Sequence, residues 1–150
     1  MKESKEKKYF ELVNNIKILT EGEDDVISVM STISCEVFQT FDHFNWVGFY
    51  RAVGNDKLKV GPYQGGHGCL VIDYGRGVCG RCARERAVQI ENDVTKLPYH
   101  IACSSDTRSE IVLPVIKNGE LLAVFDIDST EPGVFDEVDV RWLAEIAGLI

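Results

Sequence analysis

The spacing of the apolar residues changes near residue 42, and this change restricts the possible folds more than any other feature of the chain. Residues 4–19 and 25–41 carry apolar side chains at the spacing of about 3.6 residues that is typical of amphipathic helices. Residues 45–53 and 57–63 instead show the alternation of a β-hairpin, with a Gly-Asn-Asp turn signal between them. The chain is therefore predicted to begin with two helices and to continue as a sheet.

The second half of the chain adds a short helix near 78–86, strands at 109–116 and 120–128, and a last helix that Asp136 caps. Strands joined by short turns pair antiparallel. We expect an α+β fold, with helices packed on one face of an antiparallel central sheet and a loop-covered ligand pocket on the other face. A single domain is expected over residues 1–150, because no repeat or linker interrupts the chain.

The acidic character of the chain excludes two classes of partner. With 16 Lys and Arg against 24 Asp and Glu, the net charge is -8, so nucleic acids and anionic membranes would repel the protein. No apolar run approaches the roughly 20 residues of a membrane span, and the charged N-terminus lacks the apolar segment of a secretory signal. A cytoplasmic protein is expected.

Five cysteines are unusual in a cytoplasmic chain, and an odd number cannot be fully paired within it. Four of them, Cys69, Cys79, Cys82 and Cys103, fall within 35 residues. Metal ligands, catalytic thiols and buried inert thiols are the three interpretations. Cys79 follows two glycines at the start of the predicted short helix, where unpaired N–H groups favour a thiolate.

Zinc is the main competitor of a redox interpretation. The pairs His67-x-Cys69, Cys79-x-x-Cys82 and His100-x-x-Cys103 offer six ligands, whereas structural zinc sites use four, usually in two close pairs. Cys69 and Cys103 lie in loops interrupted by Gly and Pro, so these thiols can approach and separate as a disulfide cycle requires. The redox interpretation is favoured.

A group of carboxylates supports that interpretation. Asp126 and Asp128 are two residues apart on an apolar strand and therefore share a face. With a two-residue Asn118-Gly119 turn, Glu110 lies opposite residue 127 and points away from them; with a three-residue turn and a bulge, it lies opposite Asp126 on the same face. We predict the three-residue turn, because it gathers the three acids.

Three acids in one half-buried pocket cannot all ionise easily, so at least one is expected to keep its proton at neutral pH. The remaining charge suits a substrate ammonium, and Trp46 and Tyr50 on one strand face suit an aromatic wall. A thiolate that attacks an electrophilic sulfur, with an acid to protonate the departing oxygen, reduces a sulfoxide and leaves a sulfenic acid on the protein. Core packing of Trp46 and Tyr50 is the alternative.

The chain resembles the GAF-type free methionine-(R)-sulfoxide reductases. The matching segments, in order along the chain, are Asn45-Trp46-Val47-Gly48-Phe49-Tyr50, Gly61-Pro62-Tyr63-Gln64-Gly65, Cys69, Gly75-Arg76-Gly77-Val78-Cys79-Gly80, His100-Ile101-Ala102-Cys103, Ser109-Glu110-Ile111-Val112, Asp126-Ile127-Asp128-Ser129 and Phe135-Asp136. Together they are highly specific, although each alone is weak.

This resemblance implies a GAF-like fold and free methionine (R)-sulfoxide as the substrate. It implies that Cys103 is the nucleophile, Cys69 the main resolving thiol and Cys79 an accessory thiol, with thioredoxin as the reductant. It further implies homodimers and no metal or organic cofactor. The substrate-binding residues implied are Trp46, Tyr50, Glu110, Asp126 and Asp128.

Two positions depart from the family pattern. Cys82 stands where the family has a small residue without a thiol, so it could compete with Cys69 as the resolving thiol. Gly68 stands where alanine is common, which is expected to loosen the loop that carries Cys69. A GAF-like module that senses a small molecule without catalysis is the second hypothesis, although such modules normally accompany an output domain.

Overall fold

The computed structural model describes residues 3–98 and 106–150. The helices and strands within these residues are α1 (Lys5–Leu19), α2 (Val26–Thr40), β1 (Phe44–Ala52), β2 (Lys57–Gly65), β3 (Val71–Asp73), α3 (Gly77–Glu85), β4 (Gln89–Glu91), β5 (Ser109–Lys117), β6 (Glu120–Ser129) and α4 (Glu137–Ala147). The strands form one sheet in the order β3-β2-β1-β6-β5-β4, and every neighbouring pair is antiparallel. Among the described helices, none is long and apolar enough to cross a membrane.

Both faces of the sheet are covered by helices. Helices α1, α2 and α4 pack on one face around Phe49, Phe125 and Ile127, which are fully buried. Helix α3 packs on the other face, against β5 and β6, and its buried residues share one cluster with Trp46 and Tyr50. The expected α+β class with an antiparallel central sheet is confirmed. The sequence did not predict that a helix, α3, would lie on the second face of the sheet.

The last helix begins as its sequence predicts. Asp136 accepts hydrogen bonds from the N–H groups of Val138 and Asp139, and Asp139 in turn accepts from the Asp136 N–H, which completes a capping box. Asp25 is a simple N-cap of α2 and accepts from the N–H groups of residues 27 and 28.

A buried carboxylate joins the first helix to the last. Asp139 is 2% exposed, and its two oxygens accept from the Tyr9 hydroxyl at 2.6 Å and from Lys5 Nζ at 2.7 Å. Burial and the charge of Asp139 raise the pKa of Tyr9 well above its ordinary value, so the phenol stays protonated and donates. The two ends of the chain are thereby linked through the helical layer.

The turn between β5 and β6 has two residues, so the predicted three-residue turn is wrong. Lys117 pairs with Glu120 across the Asn118–Gly119 turn, and both turn residues have the positive φ of a tight hairpin. A bulge then shifts the register by one residue, because Leu122 lies between two paired residues and has no partner of its own in the strand ladder. As a result Glu110 lies opposite Asp128 and shares its face.

Candidate active site

Three carboxylates converge on the sheet face that α3 covers. Val112 pairs with Asp126 and Glu110 pairs with Asp128 across β5 and β6, so Glu110, Asp126 and Asp128 point the same way. The predicted grouping is therefore present, although it arises from a bulge and not from the turn. On the other side of β6, Gly48 of β1 lies opposite Asp126.

Burial and mutual repulsion make these three acids weak acids. Glu110 is 6% exposed and Asp126 is 4% exposed, while Asp128 is partly exposed. Burial raises the pKa of each carboxyl well above its ordinary value, and the charge of a neighbouring acid in the group raises it further. The group therefore retains protons at neutral pH and can act as a proton donor.

An aromatic wall stands beside the acids. The Trp46 ring stacks between Tyr50 and Tyr63, with ring centroids 5.3 Å apart on each side. Trp46 pairs with Asp128 across β1 and β6, so the wall and the acids form one continuous surface. A Cβ atom on Gly48 would fall 2.8 Å from the Trp46 ring, so only glycine leaves room for the indole here.

Tyr63 is a member of the aromatic wall that the sequence did not predict. It lies on β2 opposite Gly48 and is 37% exposed, which makes it the outer member of the stack. Its signal in the sequence was its place in the hairpin that pairs with the Trp46 strand. Register alone could not reveal it, because β2 is shifted by one residue relative to β1 between Gly48 and Tyr50.

The loop that follows β2 is held against this wall. Trp46 Nε1 donates to the Gly66 carbonyl at 3.0 Å. A Cβ atom on Gly68 would lie 2.9 Å from both the Trp46 ring and the Tyr50 hydroxyl, so Gly68 permits close contact with both rings. The backbone of Cys69 hydrogen-bonds to the Tyr50 hydroxyl. The glycine expected to loosen the loop thus also brings it onto the wall.

Cys69 is bonded in a disulfide. Cys35, Cys79 and Cys82 are free thiols. Cys103, the predicted nucleophile, lies outside the described residues, as does the predicted zinc pair His100-x-x-Cys103. The side chain of Cys69 is half-buried at the edge of the aromatic wall, next to the highly exposed Leu70.

Helix α3 places two thiols above the acids. Cys79 is 5% exposed and Cys82 is fully buried. The close packing depends on Gly80, whose missing Cβ would lie 2.7 Å from the carbonyl oxygens of both Asp73 and Tyr74. The helix therefore lies directly on the β3–α3 turn.

The prediction that Cys79 is a thiolate is wrong for this arrangement. Burial raises the pKa of the Cys79 thiol well above its ordinary value, and the charges of Asp126 and Glu110 raise it further. Burial likewise raises the pKa of Cys82 to about 12. The helix N-terminus is outweighed because the thiol faces three acids and not solvent; Cys79 instead donates a hydrogen bond to Asp126.

Among the residues that the structure describes, the pair His67-x-Cys69 does not join Cys79-x-x-Cys82 in a metal-ligand group. His67 is exposed, and its neighbour Cys69 is in a disulfide. Cys79 instead groups with Glu110 and Asp126, whose ligand atoms all lie within 4.8 Å of one another and of its sulfur.

Comparison with known proteins gives a consistent result. The family model described as the GAF domain matches residues 20–150. The GAF domain-containing protein A of Dictyostelium discoideum is 40% identical over 149 residues, covering 99% of this chain and 94% of that protein. The free methionine-R-sulfoxide reductase of Saccharomyces cerevisiae is 38% identical over 154 residues, covering 98% of this chain and 86% of that protein.

A solved structure extends the similarity to three dimensions. The X-ray structure of free methionine-R-sulfoxide reductase from Neisseria meningitidis, in complex with its substrate, has a TM-score of 0.93 and 35% sequence identity, and the match covers 99% of this chain and 89% of that chain.

Proposed function

This chain belongs to the GAF domain family and, within it, to the free methionine-R-sulfoxide reductases, and we propose that it reduces free methionine (R)-sulfoxide through a cysteine sulfenic acid and a disulfide. The observation that carries this proposal is the meeting of three features: three acids that share one sheet face, a stacked aromatic wall, and a loop bearing a disulfide-bonded cysteine on that wall.

The acids and the wall are proposed to bind different parts of the substrate. Glu110, Asp126 and Asp128 carry raised pKa values, so part of the group is protonated and the remainder is available for the substrate ammonium. The Trp46 and Tyr50 rings provide an apolar surface for the methyl and sulfur end. A free amino acid offers an ammonium here that a residue within a polypeptide lacks.

The first chemical step transfers the oxygen atom. The thiolate of Cys103 attacks the sulfoxide sulfur, and an acid of the group protonates the sulfoxide oxygen. The attack forms a transient bond between the two sulfur atoms. As this bond and the substrate S–O bond break, the oxygen passes to the Cys103 sulfur as a sulfenic acid and methionine leaves. The sulfur atom of the substrate gains two electrons in this step, and the sulfur atom of Cys103 loses two.

The second step forms the disulfide. The Cys69 thiol attacks the Cys103 sulfur, an S–S bond forms and the oxygen leaves as water. Two observations support this pairing: Cys69 is disulfide-bonded, and the three other described cysteines are free thiols. Cys79 is proposed as an accessory thiol that can exchange with this disulfide when it is open.

Thioredoxin is proposed as the reductant, giving two electrons and two protons to restore both thiols. Cys69 is a suitable point of attack because its side chain is half-buried and the next residue, Leu70, is 76% exposed. We expect the protein to form a homodimer and to be located in the cytoplasm.

A coupled assay tests this function. Purified protein is mixed with thioredoxin, thioredoxin reductase and NADPH, and absorbance is followed on addition of free methionine (R)-sulfoxide. We expect NADPH consumption with the (R) form and little with the (S) form. Cys103→Ser should abolish turnover, because no other thiol is assigned the first attack.

Cys35→Ser is the matched control, since Cys35 lies on α2 away from the acids and contacts Gln39. Turnover that survives in Cys103→Ser would show that the nucleophile is misassigned. Binding of the sulfoxide without any NADPH consumption would instead favour a non-catalytic sensor.

A further inference from the structure

Three elements bring a thiol and two carboxylates to one buried point. Cys79 comes from α3, Glu110 from β5 and Asp126 from β6. The Cys79 sulfur and one oxygen of each acid lie within 4.8 Å of one another, and all three residues are buried. Thiolate sulfur and carboxylate oxygen are both ligand types that Zn²⁺ accepts in proteins.

A second observation concerns the carboxylate oxygens themselves. Asp126 is 4% exposed, and among the described residues its Oδ1 atom is buried without any hydrogen-bond partner, as is Oδ1 of Asp128. Buried carboxylate oxygens are normally hydrogen-bonded, because an unpartnered one loses hydration without compensation. A cation placed between Asp126 and Cys79 would compensate that loss.

We propose that Cys79, Glu110 and Asp126 form a zinc-binding site, and that Zn²⁺ bound there excludes the substrate ammonium. The exclusion rests on the proposed function, whereas metal binding itself does not. The ion would replace the protons that the thiol and the acids hold. Bound Zn²⁺ would therefore compete with the substrate and take no part in the reaction. Nothing in the redox cycle requires it.

The ligand set selects the metal. Zn²⁺ accepts thiolate and carboxylate together, with bonds of about 2.0 to 2.3 Å, so the three ligand atoms need only small side-chain movements to surround it. Mg²⁺ prefers an octahedron of oxygen atoms and binds thiolates poorly. The two histidine-containing pairs of the sequence are not involved in this set, and Cys79 takes acids as co-ligands in place of Cys82.

The test uses the oxidised protein, in which Cys69 is already in a disulfide. Co²⁺ is the probe, because a cobalt–thiolate bond gives a charge-transfer band in the near ultraviolet. We expect that band to saturate at one Co²⁺ per chain and to disappear when Zn²⁺ is added. Mg²⁺ should leave it unchanged.

Variants identify the ligands. Cys79→Ser should abolish the band, whereas Cys82→Ser and Cys35→Ser should retain it. Asp126→Asn keeps the shape of the side chain and should weaken Co²⁺ binding by about tenfold or more, with folding checked by circular dichroism. Absence of a band at one equivalent, or a band that persists in Cys79→Ser, would overturn the proposed site.

Competition is measured on the same oxidised protein and needs no turnover. Methionine (R)-sulfoxide should weaken apparent Co²⁺ binding, while the (S) form should not, although both chelate cobalt equally in solution. If the two forms act alike, zinc and substrate do not share the site and that part of the proposal is wrong. If the (R) form alone competes but the coupled assay shows no turnover, the metal site stands and the proposed enzymatic function fails.

Discussion

The burial of Asp126 makes the stability of the folded protein depend on pH. Its raised pKa means that the folded protein keeps a proton that the unfolded chain has released, at every pH between the ordinary value of 3.8 and the raised value. Across this window the unfolded state binds fewer protons, so the free energy of unfolding falls as pH rises. The contribution is therefore favourable in acid and lost toward neutral pH.

Asp126→Asn should remove this pH-dependent cost. We expect the variant to be more stable than the parent by about 1 to 3 kcal/mol at pH 7, with the difference shrinking as pH falls toward 4. Urea unfolding at several pH values measures it. Activity should fall at least about a hundredfold, because the acid group loses a proton donor and a charge.

The exposed Glu120 of the same strand provides the control, and Glu120→Gln should change neither stability nor activity appreciably. A stability difference for Asp126→Asn that does not vary with pH would show that Asp126 is not the group that titrates.

The position of α3 depends on the absence of a side chain at Gly80. Alanine is favoured over glycine in a helix by about 1 kcal/mol. Here, however, its Cβ would meet two backbone oxygens at 2.7 Å, and overpacking of this kind costs about 1 to 3 kcal/mol. Backbone atoms cannot rotate away as a side chain can, so the unfavourable contact dominates.

We therefore expect Gly80→Ala to lower the melting temperature and to raise KM, because Cys79 and the helix move away from the acids. Gly75→Ala is the matched control, since a Cβ there meets nothing within 4 Å. A Gly80→Ala protein as stable as the parent would show that α3 can shift without cost.

The strands and helices were largely predictable, and their register was not. Apolar periodicity gave α1, α2 and the β1–β2 hairpin close to their observed limits. The β5–β6 pairing could not be predicted from the turn. Residues 121–125 are all apolar, so the sequence there has no alternation that the bulge at Leu122 could interrupt. The prediction of a Cys79 thiolate is wrong for a related reason: the sequence shows the position of Cys79 at the start of a helix, but not the acids that face it.

The two ends of the chain stabilise the whole molecule through one carboxylate. Tyr9 and Asp139 are 130 residues apart and both buried. Tyr9→Phe removes one donor and leaves an Asp139 oxygen without it, which typically costs about 1 to 3 kcal/mol. We expect a lower free energy of unfolding and unchanged kcat and KM, because the acids and the aromatic wall lie on the opposite face of the sheet.

Urea unfolding and the coupled assay measure the two quantities on one preparation. Tyr74→Phe is the control for loss of a tyrosine hydroxyl near the surface. If Tyr9→Phe lowered kcat in proportion to stability, the helical layer and the site would be coupled more closely than this structure indicates.

The bulge at Leu122 also limits how β6 can change during evolution. Removing one residue before Asp126 would turn the acids toward the apolar helical layer and turn Phe125 and Ile127 toward the face that α3 covers. Insertions or deletions between Lys117 and Asp126 are therefore tolerated only when they preserve the parity of the strand. Homologues of different hairpin length are expected to differ there by even numbers of residues, or to place a compensating bulge elsewhere in β5 or β6.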